Sequence, residues 1–276
     1  MRDRVMTDPL PPDPTAGVRV SADPAPAAPP DRPLRIEVPY RVRFDEATPA
    51  GLLRSSACLG YLQDVAWRHS EALGFGRDWY RDRGLAWLVR AVDLRLVGPV
   101  GDGDLVTVST QVTGFRRVLC RRDSEIAAAG ALAGTCRIDW AMTDGRTPVR
   151  IPGDFAAFGI GASFVPTRVD LPPAPDGAAA LAITPRLREC DPMGHVNNGV
   201  YVDWLDEAVT AAGGDADVGA FPRRYRLEYF RPATAGAPLV ARAWRDEEGW
   251  AFRLVGEEGD DLVRGRLLLG ARALDD

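Results

Sequence analysis

The chain has 276 residues, of which 46% are apolar and 26% are charged, and its formal net charge is −5 at pH 7. The apolar fraction is typical of a folded protein, and the negative charge argues against a partner with a phosphate backbone. No apolar run approaches the length of a membrane span, and the N-terminus lacks the apolar core of a signal peptide. We therefore expect a cytoplasmic protein with no nucleic-acid or membrane partner.

The chain contains two histidines and four cysteines, at Cys58, Cys120, Cys136 and Cys190. The cysteines lack the spacing of metal ligands, which predicts free thiols in a reducing compartment. We expect no metal and no other cofactor.

Residues 1–35 are rich in Pro, Ala and Asp without hydrophobic periodicity, which predicts a disordered tail. A first folded unit is predicted over 36–158. Alternating apolar residues indicate a strand at 36–44, and helical spacing of apolar residues indicates a helix at 53–73. Four further strands, bounded by Gly, Asp and Pro, are predicted at 87–97, 105–113, 118–128 and 133–143.

A second composition break, rich in proline, predicts a linker at 159–180. A second unit, predicted over 181–276, repeats the order of the first. It contains a strand at 181–188 and a helix at 197–212. Four strands are predicted after this helix, at 225–231, 238–245, 250–257 and 262–271.

The two halves align as an internal repeat, which predicts a pseudo-dimer of two similar units. The segment 48–52 lies over 191–195, with Pro and Gly at equivalent places. The first copy has Thr48 in place of Asp191 and Leu52 in place of His195. We therefore expect one chemical site per chain, in the second half.

The segment 191–201 concentrates the rare polar side chains of the chain, because it contains both asparagines and one of the two histidines. Pro192 and Gly194 predict a turn before a helix. Asp191 and His195 would then meet near unpaired helix N–H groups, which can stabilise a developing oxyanion. The structural alternative is a helix entry at which the Asp and Asn side chains only cap the helix.

The pattern Asp-x-x-Gly-His-Val-Asn-Asn-x-x-Tyr at 191–201 resembles the signature of 4-hydroxybenzoyl-CoA-type thioesterases and the second hotdog of acyl-[acyl carrier protein] (ACP) thioesterases. The first half resembles the acyl-ACP thioesterases at 61–66, 84–90, 121–126 and 138–140. The resemblance runs from about residue 36 to the end. It implies an α+β tandem double hotdog, with two long central helices each wrapped by an antiparallel sheet.

The resemblance implies catalytic roles for Asp191 and His195, which match family positions. An Asn that the plant enzymes place between them is Met193 in this chain. The Glu and Cys after the family's Tyr-Arg-Arg segment fall on Pro232 and Ala233. We therefore expect chemistry closer to the 4-hydroxybenzoyl-CoA type.

Thioester hydrolysis needs a group that attacks the carbonyl or activates water, together with donors for the oxyanion. We predict Asp191 as nucleophile or general base, and the backbone N–H groups of Gly194 and Val196 as oxyanion donors. His195 would hold Asp191 or the attacking water, or act as the base itself. Asn197 would either contact the substrate or cap the helix.

Other polar residues are weaker candidates. Asp64 of the first helix would approach the second half's site in a pseudo-dimer, whereas mid-helix His69 is interpreted as structural. Glu228 is interpreted as a solvated strand residue, and Cys190 as pointing away from Asp191 if its strand continues. Arginines at 116–117, 121–122 and 223–226 either dock an acidic carrier protein or CoA phosphates, or are simply solvated.

We predict a hydrolase of fatty acid or lipid metabolism that releases the free acid from a medium or long acyl thioester, with acyl carrier protein preferred to CoA. An acyl tunnel would be lined by Leu59, Leu62, Trp67 and Trp204. The alternatives are an acyl-CoA thioesterase, a hotdog hydratase or dehydratase, and a non-catalytic acyl-binding protein. A homodimer is left open.

Overall fold

The computed structural model describes residues 34–158 and 163–275. The predicted tail lies outside these residues up to position 33, and Arg35 already belongs to the first strand. No helix of the described part is long and apolar enough to cross a membrane.

The first half has the predicted order of strand, long helix and four strands. Its elements are β1 Arg35–Arg41, α1 Ser55–Ala72, α2 Arg77–Arg83, β2 Ala86–Leu96, β3 Leu105–Arg116, β4 Leu119–Ala128 and β5 Ala131–Thr143. The sequence prediction missed α2, although Gly84 marks its end. Gly84 has φ +60°, and this left-handed conformation favours glycine after a helix.

The second half repeats this order. Its elements are β6 Ala179–Ile183, α3 Val200–Ala211, α4 Asp215–Val218, β7 Arg223–Tyr229, β8 Leu239–Arg245, β9 Trp250–Val255, β10 Asp261–Leu269 and α5 Ala271–Leu274. The strand predicted at 181–188 ends earlier, because Pro185 follows closely and 187–189 form a single 3₁₀ turn. Cys190 therefore lies in a loop, and the argument that placed its side chain on the opposite strand face does not apply.

All ten strands form one antiparallel sheet, in the order β1-β3-β4-β5-β2-β7-β10-β9-β8-β6. The two halves join edge to edge where β2 pairs with β7, from Ala91 opposite Glu228 to Leu96 opposite Arg223. Each half contributes one long helix to the sheet's inner side, and α1 contacts α3. The predicted α+β double hotdog is confirmed.

The two long helices bury an apolar stripe in one continuous core. Leu59, Leu62 and Val65 of α1 are at most 1% exposed, as are Val202 and Leu205 of α3. This spacing of three residues places each set on one face of its helix. Packing against the sheet and against the other helix therefore fixes the position of each helix N-terminus.

The segment 163–178 crosses the outer face of the sheet and is fastened to both halves by buried carboxylates. Asp139 of β5 accepts two hydrogen bonds from Arg121 and one from the Thr167 N–H, at 2.7–2.8 Å. Glu228 of β7 accepts from Arg90, from Arg168 and from the Val169 N–H. The interpretation of Glu228 as a solvated residue is therefore wrong. The linker covers its side chain, which is 3% exposed.

Candidate active site

Two loops, one in each half, have the same backbone. The 3₁₀ turns Phe44–Glu46 and Leu187–Glu189 open them, and the bridges Ala47 with Leu53 and Cys190 with Val196 close them. We call residues 44–53 the first loop and residues 187–196 the second loop. Their equivalence is the structural form of the repeat seen in the sequence.

The hydrogen bonds of the two loops also correspond. The Thr48 N–H donates to the Leu52 carbonyl at 2.7 Å, and the Asp191 N–H donates to the His195 carbonyl at 2.8 Å. Gly51 and Gly194 have φ of +73° and +79°, a conformation that disfavours residues with a Cβ. These backbone contacts set the spacing of Asp191 and His195.

Asp191 keeps one carboxylate oxygen free. Its Oδ1 accepts the Met193 N–H at 2.8 Å, which holds the turn. Among the described residues, Oδ2 has neither a hydrogen-bond donor nor a cation. The side chain is partly exposed and lies in the wall of a cavity. The carboxylate is therefore oriented by one oxygen and available for chemistry through the other.

The imidazole of His195 lies in the same cavity wall. Within the described part of the chain, no hydrogen bond joins it to the Asp191 carboxylate. The structure brings the two predicted residues to one cavity without pairing them. An expectation that His195 holds Asp191 directly is therefore not met.

The predicted oxyanion donors are wrong, because their N–H groups are already engaged. The Gly194 N–H donates to the Asp191 carbonyl, and the Val196 N–H donates to the Ala233 carbonyl, both at 2.9 Å. The neighbouring N–H groups of His195 and Asn198 have no acceptor among the described residues. The hydrogen bond of Val196 joins residues distant in sequence and could not be foreseen from the local pattern.

Asn197 holds the turn that leads into helix α3 and also faces the cavity. Its Oδ1 accepts the Gly199 N–H at 2.9 Å, and its Nδ2 lies 3.3 Å from Oε1 of Gln63. Gln63 belongs to α1 of the first half and lines the cavity as well. The non-catalytic half therefore places a carboxamide beside the second loop, which sequence reasoning did not identify.

Asp64, the predicted contribution of α1, does not reach the site. Its carboxylate accepts from the Tyr40 hydroxyl at 2.6 Å and pairs with Arg68 at 2.7 Å. A helix turns by about 100° per residue, so Gln63 faces the cavity while its neighbour faces β1. Helix α1 therefore contributes Gln63, and not Asp64, to the cavity wall.

A cavity of about 790 Å³ extends from the second loop into the first half. Residues of α1, α2 and strands β2 to β5 form most of its wall. Apolar lining residues include Ala66, Trp67, Leu73, Phe75, Leu85, Trp87, Val89, Val112, Phe115 and Trp140. Of the four predicted tunnel residues, Trp67 lines the cavity, whereas Leu59, Leu62 and Trp204 are buried in the core.

Most arginines predicted to dock a carrier are used inside the protein. Arg121 binds Asp139 and Arg224 binds Asp93, each through two hydrogen bonds, and Arg223 is 4% exposed. Arg122 lies in the cavity wall. Of these clusters, the pair at 116–117 remains exposed. Three other exposed arginines, at the cavity opening, are Arg77, Arg81 and Arg231.

The thiols are poor candidates for a nucleophile. All four cysteines are free, and burial raises the pKa of Cys58 and of Cys120 to about 12. Thiols with such pKa values stay protonated at neutral pH. Among the described residues, no cluster of His, Cys, Asp and Glu is arranged to hold a metal ion.

The comparisons with known proteins match both halves. Residues 34–158 match the model of the acyl-ACP thioesterase N-terminal domain, and residues 193–249 match that of the thioesterase superfamily. No curated protein is similar enough in sequence to count as a match.

Solved structures of the same fold cover most of the chain. A 12:0-ACP thioesterase from Umbellularia californica is 22% identical, with a TM-score of 0.71, over 86% of this chain and 97% of its own. An acyl-ACP thioesterase from Bacteroides thetaiotaomicron is 16% identical, with a TM-score of 0.71, over 85% and 97%. A candidate oleoyl thioesterase from Lactobacillus plantarum is 17% identical, with a TM-score of 0.74, over 86% and 97%.

Proposed function

We propose that this thioester hydrolase, which joins an acyl-ACP thioesterase N-terminal domain to a domain of the thioesterase superfamily, cleaves acyl chains from acyl carrier protein. One observation carries the proposal. The cavity connects the free oxygen of Asp191 with a largely apolar space inside the first half. A thioester carbonyl at the second loop would have its acyl chain in that space.

In the proposed reaction, the Asp191 carboxylate takes a proton from water while the water oxygen bonds to the thioester carbonyl carbon. The backbone N–H groups of His195 and Asn198 donate to the resulting oxyanion. Collapse of this intermediate breaks the carbon–sulfur bond, and the proton passes to the leaving thiolate. The products are the free acid and the carrier thiol. The imidazole of His195 orients the water.

The preference for a carrier protein rests on charge at the cavity opening. Arg77 has no carboxylate partner among the described residues, whereas Arg81 and Arg231 pair with exposed or half-exposed aspartates. An acidic carrier would meet this positive edge as its acyl chain enters. The effect would act on binding and would weaken with salt.

Release of free thiol from one acyl group carried on acyl carrier protein and on CoA tests the proposal. We expect a higher kcat/KM on the carrier protein. Arg77→Ala should raise KM for that substrate, with kcat unchanged, and Arg137→Ala is the control because Arg137 is exposed on β5. No thiol release from either carrier would refute the proposal, and a preference for CoA would replace it with the acyl-CoA alternative.

We also propose residues 36–158 and 181–276 as the two units of the fold and a cytoplasmic location for the enzyme. The equivalent loops and the edge-to-edge join of the sheet support the division. The four free thiols support a reducing compartment. A role in fatty acid biosynthesis would follow from the carrier-protein substrate.

A further inference from the structure

The cavity contains a polar group well away from the second loop. Ser70 lies seven residues beyond Gln63 on α1, about 10 Å farther along the helix axis. Its hydroxyl donates to the Phe75 carbonyl at 3.0 Å and lies 2.9 Å from the Tyr80 hydroxyl, which also accepts from Nε1 of Trp87 at 2.9 Å. Since the Ser70 hydrogen goes to Phe75, Tyr80 must donate to Ser70. Every donor of this group is therefore used.

Arg122 lies in the wall of the same cavity and, unlike the Ser70 group, has hydrogen-bond donors to spare. Its Nη1 donates to Nδ1 of His69 at 2.7 Å, so the His69 proton lies on Nε2. Among the described residues, His69 is its hydrogen-bond partner and no carboxylate pairs with it. A guanidinium has five N–H donors, so most of its donors remain for a ligand. Burial lowers the pKa of Arg122, yet an arginine remains charged at neutral pH.

The neighbouring indole of Trp140 does not add a second donor. Its Nε1 is buried without a hydrogen-bond acceptor among the described residues, and no atom in the cavity can reach it. Arg122 is half-exposed to the cavity, so its remaining donors are within reach of a ligand. A cation in a largely apolar wall indicates a ligand that supplies acceptors there.

We propose that the acyl chain taken by this cavity carries an oxygen acceptor near its far end, as a hydroxyl, keto or carboxylate group, which Arg122 binds. The inference rests on the proposed function and names its substrate class. A plain hydrocarbon chain would place methylene groups against a desolvated cation. A carboxylate is the best acceptor for it, because a charged pair forms the stronger hydrogen bonds.

The test uses thioesters of one chain length on acyl carrier protein: a plain alkanoyl chain, a chain with a keto group next to its last carbon, and a chain ending in a carboxylate. We expect the wild type to favour the oxygenated chains in kcat/KM by roughly ten- to a hundredfold, as for a hydrogen bond to a charged group. Arg122→Met should abolish this preference. Arg137→Met is the matched control, because Arg137 is an exposed arginine of the neighbouring strand that pairs with Asp123.

Each outcome decides something different. A wild type that hydrolyses the plain chain at least as well as the oxygenated ones overturns this inference and leaves the proposed function intact. No thiol from any of the thioesters overturns the proposed function itself. If Arg122→Met does not fold, Arg122→Gln, which keeps a donor for His69 and removes the charge, carries the test. A preference that survives in the folded variant overturns the assignment.

Discussion

The first and second loops have equivalent backbones but different side chains at the turn. Both open with a 3₁₀ turn, both close with an antiparallel bridge, and both turn on a glycine of positive φ. Thr48 Oγ1 accepts a long hydrogen bond from the Leu52 N–H at 3.3 Å, whereas Asp191 Oδ1 accepts from the Met193 N–H at 2.8 Å. The comparison shows that the fold builds this turn twice, whereas an Asp and a His stand on it once.

The halves also divide the remaining tasks. The second half contributes the reactive loop, while most of the cavity wall and Gln63 come from the first half. Under the proposed function, the first half binds the acyl chain and the second half carries the chemistry, so each half needs the other.

The largest expected effect comes from giving the second loop the sequence of the first. The triple variant Asp191→Thr, Met193→Ala, His195→Leu should lose at least roughly 10³-fold in kcat, within the range for a positioned general base. Its melting temperature should stay within about 3 °C of the wild type, since the turn is built on Gly194 and backbone bonds. Retained activity with retained folding would break the comparison.

The second expected effect concerns the linker, which is fastened to each half by one buried carboxylate. Glu228→Gln leaves Arg90 and Arg168 without their counter-charge, and removing one partner of a buried pair costs about 3–5 kcal/mol. Thermal unfolding should show a fall on the order of 10 °C. Glu37→Gln, an exposed carboxylate on β1, is the control and should change little. Equal melting temperatures for the two variants would show that Glu228 does not hold the linker.

Gln63 allows the division of tasks to be tested at one residue. Gln63→Leu keeps the side-chain size and removes the carboxamide beside Asn197. We expect kcat to fall by up to roughly tenfold, as for loss of one hydrogen bond of about 0.5–1.5 kcal/mol, with KM little changed. Asp64→Asn is the matched control, because the adjacent side chain faces Tyr40. Equal kcat values for the two variants would argue that α1 contributes only to the cavity wall.

The smallest expected effect is a dependence of the protein's stability on pH that comes from α3 and not from α1. Burial raises the pKa of Asp206 in α3 to about 7, opposed by a hydrogen bond from Tyr225, whereas the side chain of Asp64 in α1 is 44% exposed. Because this folded-state pKa lies above the ordinary value of 3.8 for an aspartate, the stability from protonated Asp206 is present below about pH 4 and lost as the pH rises to about 7. Asp203 and Glu207 shift in the same direction.

The melting temperature of Asp206→Asn, relative to that of the wild type, should therefore rise by a few degrees between pH 5 and pH 8. Melting curves across that range measure the difference. A constant difference between the two proteins would mean that Asp206 does not titrate in this window.

Much of the fold followed from the sequence because its signals are local or repeated. Apolar spacing predicted the two long helices, and Pro and Gly placed both loops. Each half forms an open sheet whose edge strand would otherwise lack a partner. The pairing of β2 with β7 therefore joins the two halves.

The misses at the site have a common physical cause, because they depend on contacts distant in sequence. Gln63 and Asp64 share one helix. Which of the two meets Asn197 depends on how α1 packs against α3 and the sheet. Glu228 alternates like a solvated strand residue, but the linker covers it. The hydrogen bond from the Val196 N–H to the Ala233 carbonyl could not be predicted from the local sequence either.

The central claim is that Asp191 performs the chemistry for which the second loop is built, and Asp191→Asn tests it most directly. Asn keeps an oxygen for the Met193 N–H, so the loop and the melting temperature should be preserved. Steady-state thiol release from an acyl carrier protein thioester should fall by roughly 10²–10⁴-fold, while Thr48→Ala at the equivalent place should change it little. An Asp191→Asn enzyme with wild-type kcat would contradict the account and leave Asp191 as a cap.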